Sequence, residues 1–319
     1  MQFAAVFPGQ GSQSIGMLTE LSDQFSEVNA TFQEGSDVLG KDLWALTREE
    51  SGSDLLNQTE NTQPIMLAAG VAVWRIWQSQ GGCKPVGMAG HSLGEYSALV
   101  AAGVLDFSSA IKLVGERARL MQQAVPEGSG AMAAILGLED DAIVKICADV
   151  SASSGGVVEA VNFNSPGQVV IAGEATTVDL AIEKLTEAGA KRAIKLPVSV
   201  PSHCSLMKGA ADELDKVLKE TSFLEADASH EMSVVQNVEA KSYASTAELK
   251  GALSQQLYRP VLWVDTINNL HETMGADSII EFGPGKILFG LNRRINRKLG
   301  NICISDQASL EKALEMCQS

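Results

Sequence analysis

The sequence lacks the segments that would place a protein in or across a membrane. No stretch approaches the roughly 20 consecutive apolar residues of a membrane-spanning helix. The N-terminus carries neither a basic segment nor a long apolar core, so no signal peptide is expected. The chain of 319 residues is 45% hydrophobic and 20% charged, which is typical of a globular protein with a large core. We therefore expect a cytoplasmic protein without a membrane partner.

Positive charge and metal-ligand patterns are also scarce. With 24 basic and 39 acidic residues the net charge is −15, which argues against nucleic acid as a partner. The five cysteines include no Cys-x-x-Cys pair, and the four histidines are far apart in the chain. This distribution predicts no metal site and fits a reducing cytoplasm. Only residues 286–298 are strongly basic, and a solvated surface is the simplest interpretation of that segment.

One serine, by contrast, lies in a distinctive setting. Residues 90–94 read Gly-His-Ser-Leu-Gly, which has the form Gly-x-Ser-x-Gly. An apolar run at 86–89 predicts a strand before the motif, and the pattern over 95–104 predicts a helix after it. A strand, a tight turn and a helix are the context of a nucleophile elbow, where the flanking glycines permit a strained turn. The motif therefore indicates Ser92 as a candidate nucleophile.

The first predicted strand, at residues 3–7, ends at Pro8 and leads into a polar glycine loop at residues 9–14. Such a loop can bring backbone N–H groups close to a ligand, or it can be a plain turn. It is neither a dinucleotide fingerprint nor a phosphate loop, because the glycine spacing and the Gly-Lys-Ser/Thr ending are absent. Further along, Pro64 is predicted at the first position of a buried helix over residues 65–80.

A buried charge is predicted on the helix that follows the serine motif. Asp106 or Ser108 can cap this helix, which extends to about residue 123. Its apolar stripe contains Arg117, and the other members are Ala110, Leu113, Val114 and Met121. A lone buried guanidinium would cost several kcal/mol, so Arg117 requires an anion. Either a structural carboxylate or an acidic ligand would supply it.

The order of predicted elements indicates two domains. Residues 127–200 read strand–helix–strand–strand–helix–strand, the βαββαβ order of a ferredoxin-like domain. Elsewhere strands alternate with helices, which predicts an α/β fold with a mostly parallel sheet. We therefore expect residues 1–126 and 201–319 to form one large domain that the small domain interrupts. His203 lies at the return into the large domain and is a candidate base. Cys204 is a weaker candidate nucleophile, since nothing marks its thiol as activated.

Seven segments of the chain together resemble the malonyl-CoA:acyl carrier protein transacylases of fatty acid synthesis, and the resemblance covers essentially the whole chain. Acyltransferase domains of fatty acid and polyketide synthases share this outline. One departure is Ala118 after Arg117, where the family commonly has glycine; it bears only on packing near Arg117. The segments are Phe7-Pro8-Gly9-Gln10-Gly11-Ser12-Gln13, Gly90-His91-Ser92-Leu93-Gly94-Glu95, Arg117 with Met121, Asn162-Phe163-Asn164-Ser165-Pro166, Pro201-Ser202-His203, Gln256-Leu257-Tyr258 and Gly283-Pro284-Gly285-Lys286.

The resemblance implies an α/β-hydrolase-like large domain, a ferredoxin-like small domain and an active site between them. In that site Ser92 would be the nucleophile and His203 its base. The backbone carbonyl of Gln256 would orient the imidazole in place of the usual carboxylate. Backbone N–H groups of Gln10 and Leu93 would form the oxyanion hole.

The resemblance also implies the substrate contacts. Arg117 would pair with the free carboxylate of the malonyl group, and Gln256 and Asn162 would be further substrate-binding residues. Val200-Pro201-Ser202, just before His203, is similar to the discrete fatty acid enzymes, which favours malonyl over methylmalonyl groups.

The implied activity is that of an acyl carrier protein S-malonyltransferase. Malonyl-CoA would acylate Ser92, and the phosphopantetheine thiol of acyl carrier protein would then accept the group, without a cofactor or a metal. We expect a cytoplasmic monomer. Because the carrier is acidic too, we hypothesise docking on a local basic surface. Its members would be Lys286, Arg293, Arg294, Arg297 and Lys298, with Lys191 and Arg192 across the cleft.

Two other functions stay open from the residues alone. A serine hydrolase could use the same elbow, although hydrolases usually place an acidic residue and then histidine after the serine. A non-catalytic subunit that binds or scaffolds the carrier protein is the second alternative. The presence of Ser92, His203 and Arg117 together argues against it.

Overall fold

Two β-sheets organise the chain in the computed structural model, which describes residues 2–48, 53–198, 200–224 and 233–318. The strands are β1 (Phe3–Phe7), β2 (Gly87–Gly90), β3 (Gly130–Leu136), β4 (Val158–Ser165), β5 (Gln168–Glu174), β6 (Arg192–Lys195), β7 (Val234–Val235), β8 (Ser278–Phe282) and β9 (Gly300–Ile304). The helices are α1 (Thr19–Gln24), α2 (Ser26–Leu39), α3 (Ser53–Leu56), α4 (Thr59–Ser79), α5 (Gly94–Ala101), α6 (Phe107–Gln123), α7 (Asp140–Ser154), α8 (Ala175–Glu187), α9 (Lys208–Glu220), α10 (Thr246–Gln255), α11 (Trp263–Asn268), α12 (Ile287–Ile295) and α13 (Gln307–Gln318).

The larger sheet has the strand order β7-β2-β1-β8-β9, and all its neighbouring strands are parallel. Its central strand β1 is buried along its whole length. Alternate side chains of a strand point to opposite faces. Accordingly, Phe3 and Phe7 join the core that contains Trp77, whereas Val6 joins the core that contains Trp263. The prediction of an α/β fold with a mostly parallel sheet is confirmed.

The second sheet is antiparallel and has the order β4-β5-β3-β6. Along the chain its elements are β3, α7, β4, β5, α8 and β6. The two helices contribute Ile143 and Leu185 to a separate hydrophobic core beneath this sheet. β4 also touches the rest of the chain, because the N–H of Phe163 donates to the carbonyl of Val261 over 3.0 Å.

Helix α4 departs from its predicted start. It begins at Thr59, so Pro64 lies inside the helix rather than at its first position. The extra turn is held by polar side chains: the hydroxyl of Thr62 donates to the carbonyl of Gln58 over 3.0 Å, and the amide of Asn61 donates to the carbonyl of Leu55 over 2.8 Å. The preference of proline for the first position of a helix could not reveal these side-chain hydrogen bonds, so the predicted start was too late.

Cys83 and Cys317 form a disulfide with a Cα–Cα distance of 5.7 Å. The cysteine spacing did not predict this pair, because the two residues are 234 positions apart. Both are half-buried against the main core.

Within the described part of the chain, no helix combines the length and the apolar character needed to cross a membrane.

Candidate active site

The turn after β2 has the geometry of a nucleophile elbow. Ser92 adopts a left-handed conformation with φ of 50°, between the end of β2 and the start of α5. Both flanking glycines are required by close backbone approaches. A Cβ on Gly90 would lie 1.9 Å from the carbonyl carbon of Gly94, and a Cβ on Gly94 would lie 2.0 Å from the carbonyl oxygen of Phe7. The strand, turn and helix predicted around Ser92 are therefore present.

His203 is held against the serine by the end of α10. Its Nε2 lies 2.8 Å from the Ser92 Oγ, and its Nδ1 lies 2.6 Å from the backbone carbonyl oxygen of Gln256. The last carbonyl groups of a helix have no partner within that helix, so the carbonyl of Gln256, the C-cap of α10, is available. The N–H of His203 donates to the carbonyl of Leu257, which fixes the backbone at φ of 68°.

This arrangement sets the tautomer of His203. A carbonyl oxygen can only accept, so Nδ1 carries the proton and Nε2 faces Ser92 with its lone pair. The negative end of the α10 dipole also favours positive charge on the ring as it develops. A backbone carbonyl at a helix terminus thus occupies the position next to Nδ1 that a carboxylate occupies in serine–histidine–aspartate triads.

Burial, together with the nearby positive charge of Arg117, lowers the pKa of His203 to about 3, against the opposing effect of the Gln256 carbonyl. The folded pKa lies below the unfolded value, so the imidazole stays neutral through the physiological range. The same shift removes stability as pH falls below about 6.5, where the unfolded chain binds the proton first.

We expect the imidazole C–H signals of His203 to show no titration near pH 6.5 in a proton NMR series. Loss of the signal in a His203→Asn variant assigns it. A midpoint close to the ordinary histidine value would contradict the neutral, buried base.

Arg117 is 1% exposed and lies directly beside the serine. Its Nη1 donates to Gln63 Oε1 over 2.6 Å, and its Nη2 donates to Gln256 Oε1 over 2.9 Å and to Ser92 Oγ over 3.2 Å. Its Nε has no hydrogen-bond partner among the described residues. Nor does any carboxylate of those residues form an ion pair with Arg117. Burial accordingly lowers the pKa of Arg117.

The glycine loop after β1 packs against the elbow. A Cβ on Gly9 would lie 2.4 Å from the carbonyl oxygen of His91 and 3.6 Å from the backbone nitrogen of Leu93. Gln10, the next residue, lines the same cavity as Ser92, and its side chain donates to the hydroxyl of Thr59 over 3.1 Å. The two segments predicted to supply the oxyanion hole therefore meet beside Ser92.

A cavity of about 240 Å³ opens at Ser92 between the two sheets. Of the predicted site residues, Gln10, Ser92, Asn162 and His203 line it. Leu93, Arg117 and Gln256 do not line it and are buried, on the elbow, on α6 and at the end of α10 respectively. Asn162 is 9% exposed, and its Oδ1 has no hydrogen-bond partner among the described residues. The structure thus brings all seven predicted residues together.

Several residues of this site were not predicted. The side chain of Gln63 accepts a hydrogen bond from Arg117. Gln63 was missed because α4 was predicted to begin after it. His91, whose Nε2 lies 2.8 Å from Asn164 Oδ1, was treated only as part of the motif. Glu95 and Asn237, which are both fully buried, were also missed. The polar Glu95 inside an apolar helix pattern was the available signal.

The model of the acyl transferase domain family matches residues 5–284. The chain belongs to the acyl transferase family. It is 50% identical to the malonyl CoA-acyl carrier protein transacylase of Salmonella typhimurium, over 98% of this chain and 99% of that one. It is 43% identical to the protein of the same name from Bacillus subtilis, over 98% and 96% of the two chains.

Solved structures of acyl transferases agree with these relatives. An acyl carrier protein S-malonyltransferase from Vibrio cholerae is 54% identical with a TM-score of 0.92, covering 98% of this chain and 99% of its own. A malonyl-transacylase in complex with a type II polyketide synthase acyl-carrier protein is 52% identical with a TM-score of 0.95, covering 99% and 100%. Both likenesses extend over the whole fold of this acyl transferase.

Proposed function

We propose that this chain is an enzyme that moves a malonyl group from malonyl-CoA to the phosphopantetheine thiol of acyl carrier protein, for fatty acid synthesis. The observation that carries the proposal is Arg117, a buried guanidinium without a carboxylate partner among the described residues, 3.2 Å from a serine that contacts a neutral histidine. Relatives named malonyl CoA-acyl carrier protein transacylases support the same reaction.

In the first stage Ser92 Oγ attacks the thioester carbonyl while its proton passes to His203 Nε2. The oxyanion of the tetrahedral intermediate lies between the backbone N–H groups of Gln10 and Leu93; a single donor of this kind contributes roughly 10²–10³ in rate. The carbon–sulfur bond then breaks, and His203 returns the proton to the departing coenzyme A thiolate. The products are malonyl-Ser92 and free coenzyme A.

In the second stage the carrier thiol enters the vacated space and gives its proton to His203. Its sulfur attacks the ester carbonyl, and the same two N–H groups bind the new oxyanion. Collapse breaks the bond to Ser92 Oγ, which recovers the proton from His203. Nucleophile, base and oxyanion donors all belong to this chain, so the proposed cycle requires no cofactor and no metal.

Arg117 selects the acyl group in this proposal. Gln63 and Gln256 each occupy one of its terminal nitrogens and hold the guanidinium plane beside Ser92 Oγ. A malonyl carboxylate one methylene from the ester carbonyl is placed to pair with it, whereas an uncharged chain would leave the guanidinium unpaired. Asn162 lines the cavity from the other sheet and is proposed as a further substrate-binding residue.

We further propose that residues 127–200 form a ferredoxin-like domain and that residues 1–126 and 201–319 form an α/β-hydrolase-like domain. The βαββαβ order and the separate core under the antiparallel sheet support the division.

A single chain supplies every proposed site residue, which supports a monomer. Coenzyme A thioesters are intracellular, so we infer a cytoplasmic enzyme. We expect the reducing cytoplasm to convert the Cys83–Cys317 disulfide of the structure into two thiols.

The direct test is mass spectrometry of the protein after exposure to malonyl-CoA. We expect one added malonyl group, located on the peptide that contains Ser92, and its loss when carrier protein with a phosphopantetheine thiol is added. Discharge to the thiol should exceed discharge to water; the reverse ratio would identify a hydrolase. Absence of any malonyl adduct would refute the proposed function.

Carrier docking is proposed on the basic surface formed by Lys286, Arg293, Arg294, Arg297 and Lys298. All five side chains are exposed. The exposed Ile287 at the start of α12 approaches Gly11, which lines the cavity, so this surface begins at the cavity mouth. An acidic carrier would meet attraction here despite the net charge of −15.

Reversing two of these charges with Arg293→Glu and Arg294→Glu is expected to weaken carrier binding by about tenfold or more at low salt, with less effect at high salt. Titration calorimetry with carrier protein measures it, and malonyl-Ser92 formation should stay unchanged. The matched control is Lys216→Glu with Lys219→Glu, two exposed charges on α9. Equal affinities for wild type and the α12 variant would refute this docking surface.

A further inference from the structure

Asn237, just after β7, contacts both ends of the turn that carries Ser92. Its Oδ1 accepts a hydrogen bond from the backbone N–H of Ser92 over 2.7 Å. Its Nδ2 donates to the backbone carbonyl of Gly90 over 2.7 Å. The one amide thus bridges the two residues on either side of His91. An amide is required, because one atom must accept and the other must donate at these two points.

The orientation of this side chain is fixed by its surroundings. Asn237 is fully buried, and its Oδ1 faces an N–H group while its Nδ2 faces a carbonyl, so a flipped amide would lose both bonds. Its backbone is held as well. The N–H of Asn237 donates to Glu95 Oε2 over 2.8 Å, and its carbonyl accepts from the N–H of Leu262 over 3.1 Å.

Glu95 is an unusual group to find at this position. It is fully buried on α5, and burial raises its pKa to about 7, against the opposing effects of the Asn237 N–H, Gln256 and Arg117. Tyr96 and Tyr243 are the other titratable groups that interact with it. An ionisable group buried at this cost calls for a structural or catalytic reason. Its contact with Asn237 supplies one.

We propose that Asn237 is a positioning residue for the nucleophile, bridging the strained elbow turn, and that the buried carboxyl group of Glu95 acts through Asn237. Ser92 is held in the left-handed region, which is unfavourable for a residue with a side chain and persists only if its surroundings impose it. Gln256 Nε2 completes the restraint by donating to the Ser92 carbonyl over 3.0 Å. The inference rests on the proposed function, since it assigns Asn237 a part in acylation of Ser92.

The test compares Asn237→Asp with Asn237→Leu. An ionised aspartate keeps the acceptor but turns a second acceptor toward the Gly90 carbonyl, whereas a protonated aspartic acid restores the donor. The single-turnover rate of malonyl-Ser92 formation in Asn237→Asp should be about 100-fold below wild type near pH 8 and should recover to within about tenfold near pH 5.5. Leucine lacks both groups at any pH, so Asn237→Leu should lose about 100-fold throughout. The malonyl-CoA concentration for half-maximal rate should stay the same in both.

The matched control is Gln236→Met, which removes an amide at the adjacent buried position, as Asn237→Leu does, and keeps a similar volume. The Gln236 side-chain amide forms no hydrogen bond with the described residues. This variant should stay within about threefold of wild type at every pH. If Asn237→Asp followed wild type, or if it and Asn237→Leu shared one pH-independent loss, the positioning role would be overturned.

A second route covers the case in which Asn237→Asp does not fold. Glu95→Ala should lower the acylation rate about tenfold, and adding it to Asn237→Leu should cause no further loss, because Glu95 acts through Asn237. Additive losses would overturn that link. If the wild-type protein takes no malonyl group, the proposed function is refuted but the positioning role can still be tested. The rate at which a fluorophosphonate probe labels Ser92 would then be compared at the two pH values in wild type and in the Asn237 variants.

Discussion

Replacing Ser92 with alanine is expected to reduce malonyl transfer to carrier protein by roughly 10⁴- to 10⁶-fold, since removing the nucleophile of a serine enzyme abolishes the covalent pathway. Cys204 cannot replace Ser92 as the nucleophile. Cys204 lies next to His203 but is buried, its Sγ contacts the carbonyl of Pro201, and burial raises the pKa of its thiol to about 12. Intact mass spectrometry after malonyl-CoA should show no adduct on the variant.

The control for this result is Ser97→Ala, which removes a buried hydroxyl from α5 one turn beyond the elbow. It should acylate at nearly the wild-type rate. Ser92→Ala should still bind malonyl-CoA, because Arg117 keeps its contacts with Gln63 and Gln256. Undiminished transfer by Ser92→Ala would instead favour the non-catalytic, scaffolding interpretation.

The sequence pattern predicted the parts of the site that depend on local chemistry. The elbow at Ser92 was predicted from its two flanking glycines. The structure shows that backbone atoms approach both Gly90 and Gly94 too closely for a side chain. The burial of Arg117 follows from the period of α6, and the cap at Asp106 follows from its residue type; its side chain accepts from the N–H of Ser109 over 2.9 Å. These features are encoded within a single helix or a single loop.

The parts that were missed depend on contacts between distant segments. Gln63 reaches Arg117 across 54 positions, and Asn237 reaches Ser92 across 145. The Cys83–Cys317 pair is another such contact. No local period or motif marks a polar side chain whose partner is a backbone group elsewhere in the chain. β7 comprises only Val234 and Val235, so Asn237 lies beyond the end of the strand, where the chain can turn toward the elbow.

The two residues with positive φ at the site illustrate why one structure supports two chemical stages. Ser92 and His203 both adopt the left-handed region, with φ of 50° and 68°. Hydrogen bonds hold the backbone of each residue there. The side chains of Asn237 and Gln256 bond to the N–H and the carbonyl of Ser92, and the carbonyl of Leu257 accepts from the N–H of His203. The pair is therefore fixed at 2.8 Å before any substrate arrives, so neither stage has to assemble it.

Arg117→Ala is expected to reduce malonyl transfer about 10³-fold while changing acetyl transfer by less than about tenfold. The malonyl carboxylate would lose its only proposed cationic partner, whereas an acetyl group makes no such contact. Rates of acyl-Ser92 formation from malonyl-CoA and acetyl-CoA measure the two effects in parallel. Equal losses for both acyl groups would refute the carboxylate-binding role.

Two further variants separate charge from packing at this position. Arg117→Met fills much of the same volume without charge. If the charge of Arg117 determines the selectivity, this variant should lose malonyl transfer and keep acetyl transfer, as Arg117→Ala does. Arg117→Lys keeps the charge but cannot present two parallel N–H groups, and it should restore malonyl transfer only in part. Removing the guanidinium also removes the second-largest influence that lowers the pKa of His203. The His203 pKa should therefore rise in Arg117→Met, and the same NMR titration can detect that rise independently of any acyl donor.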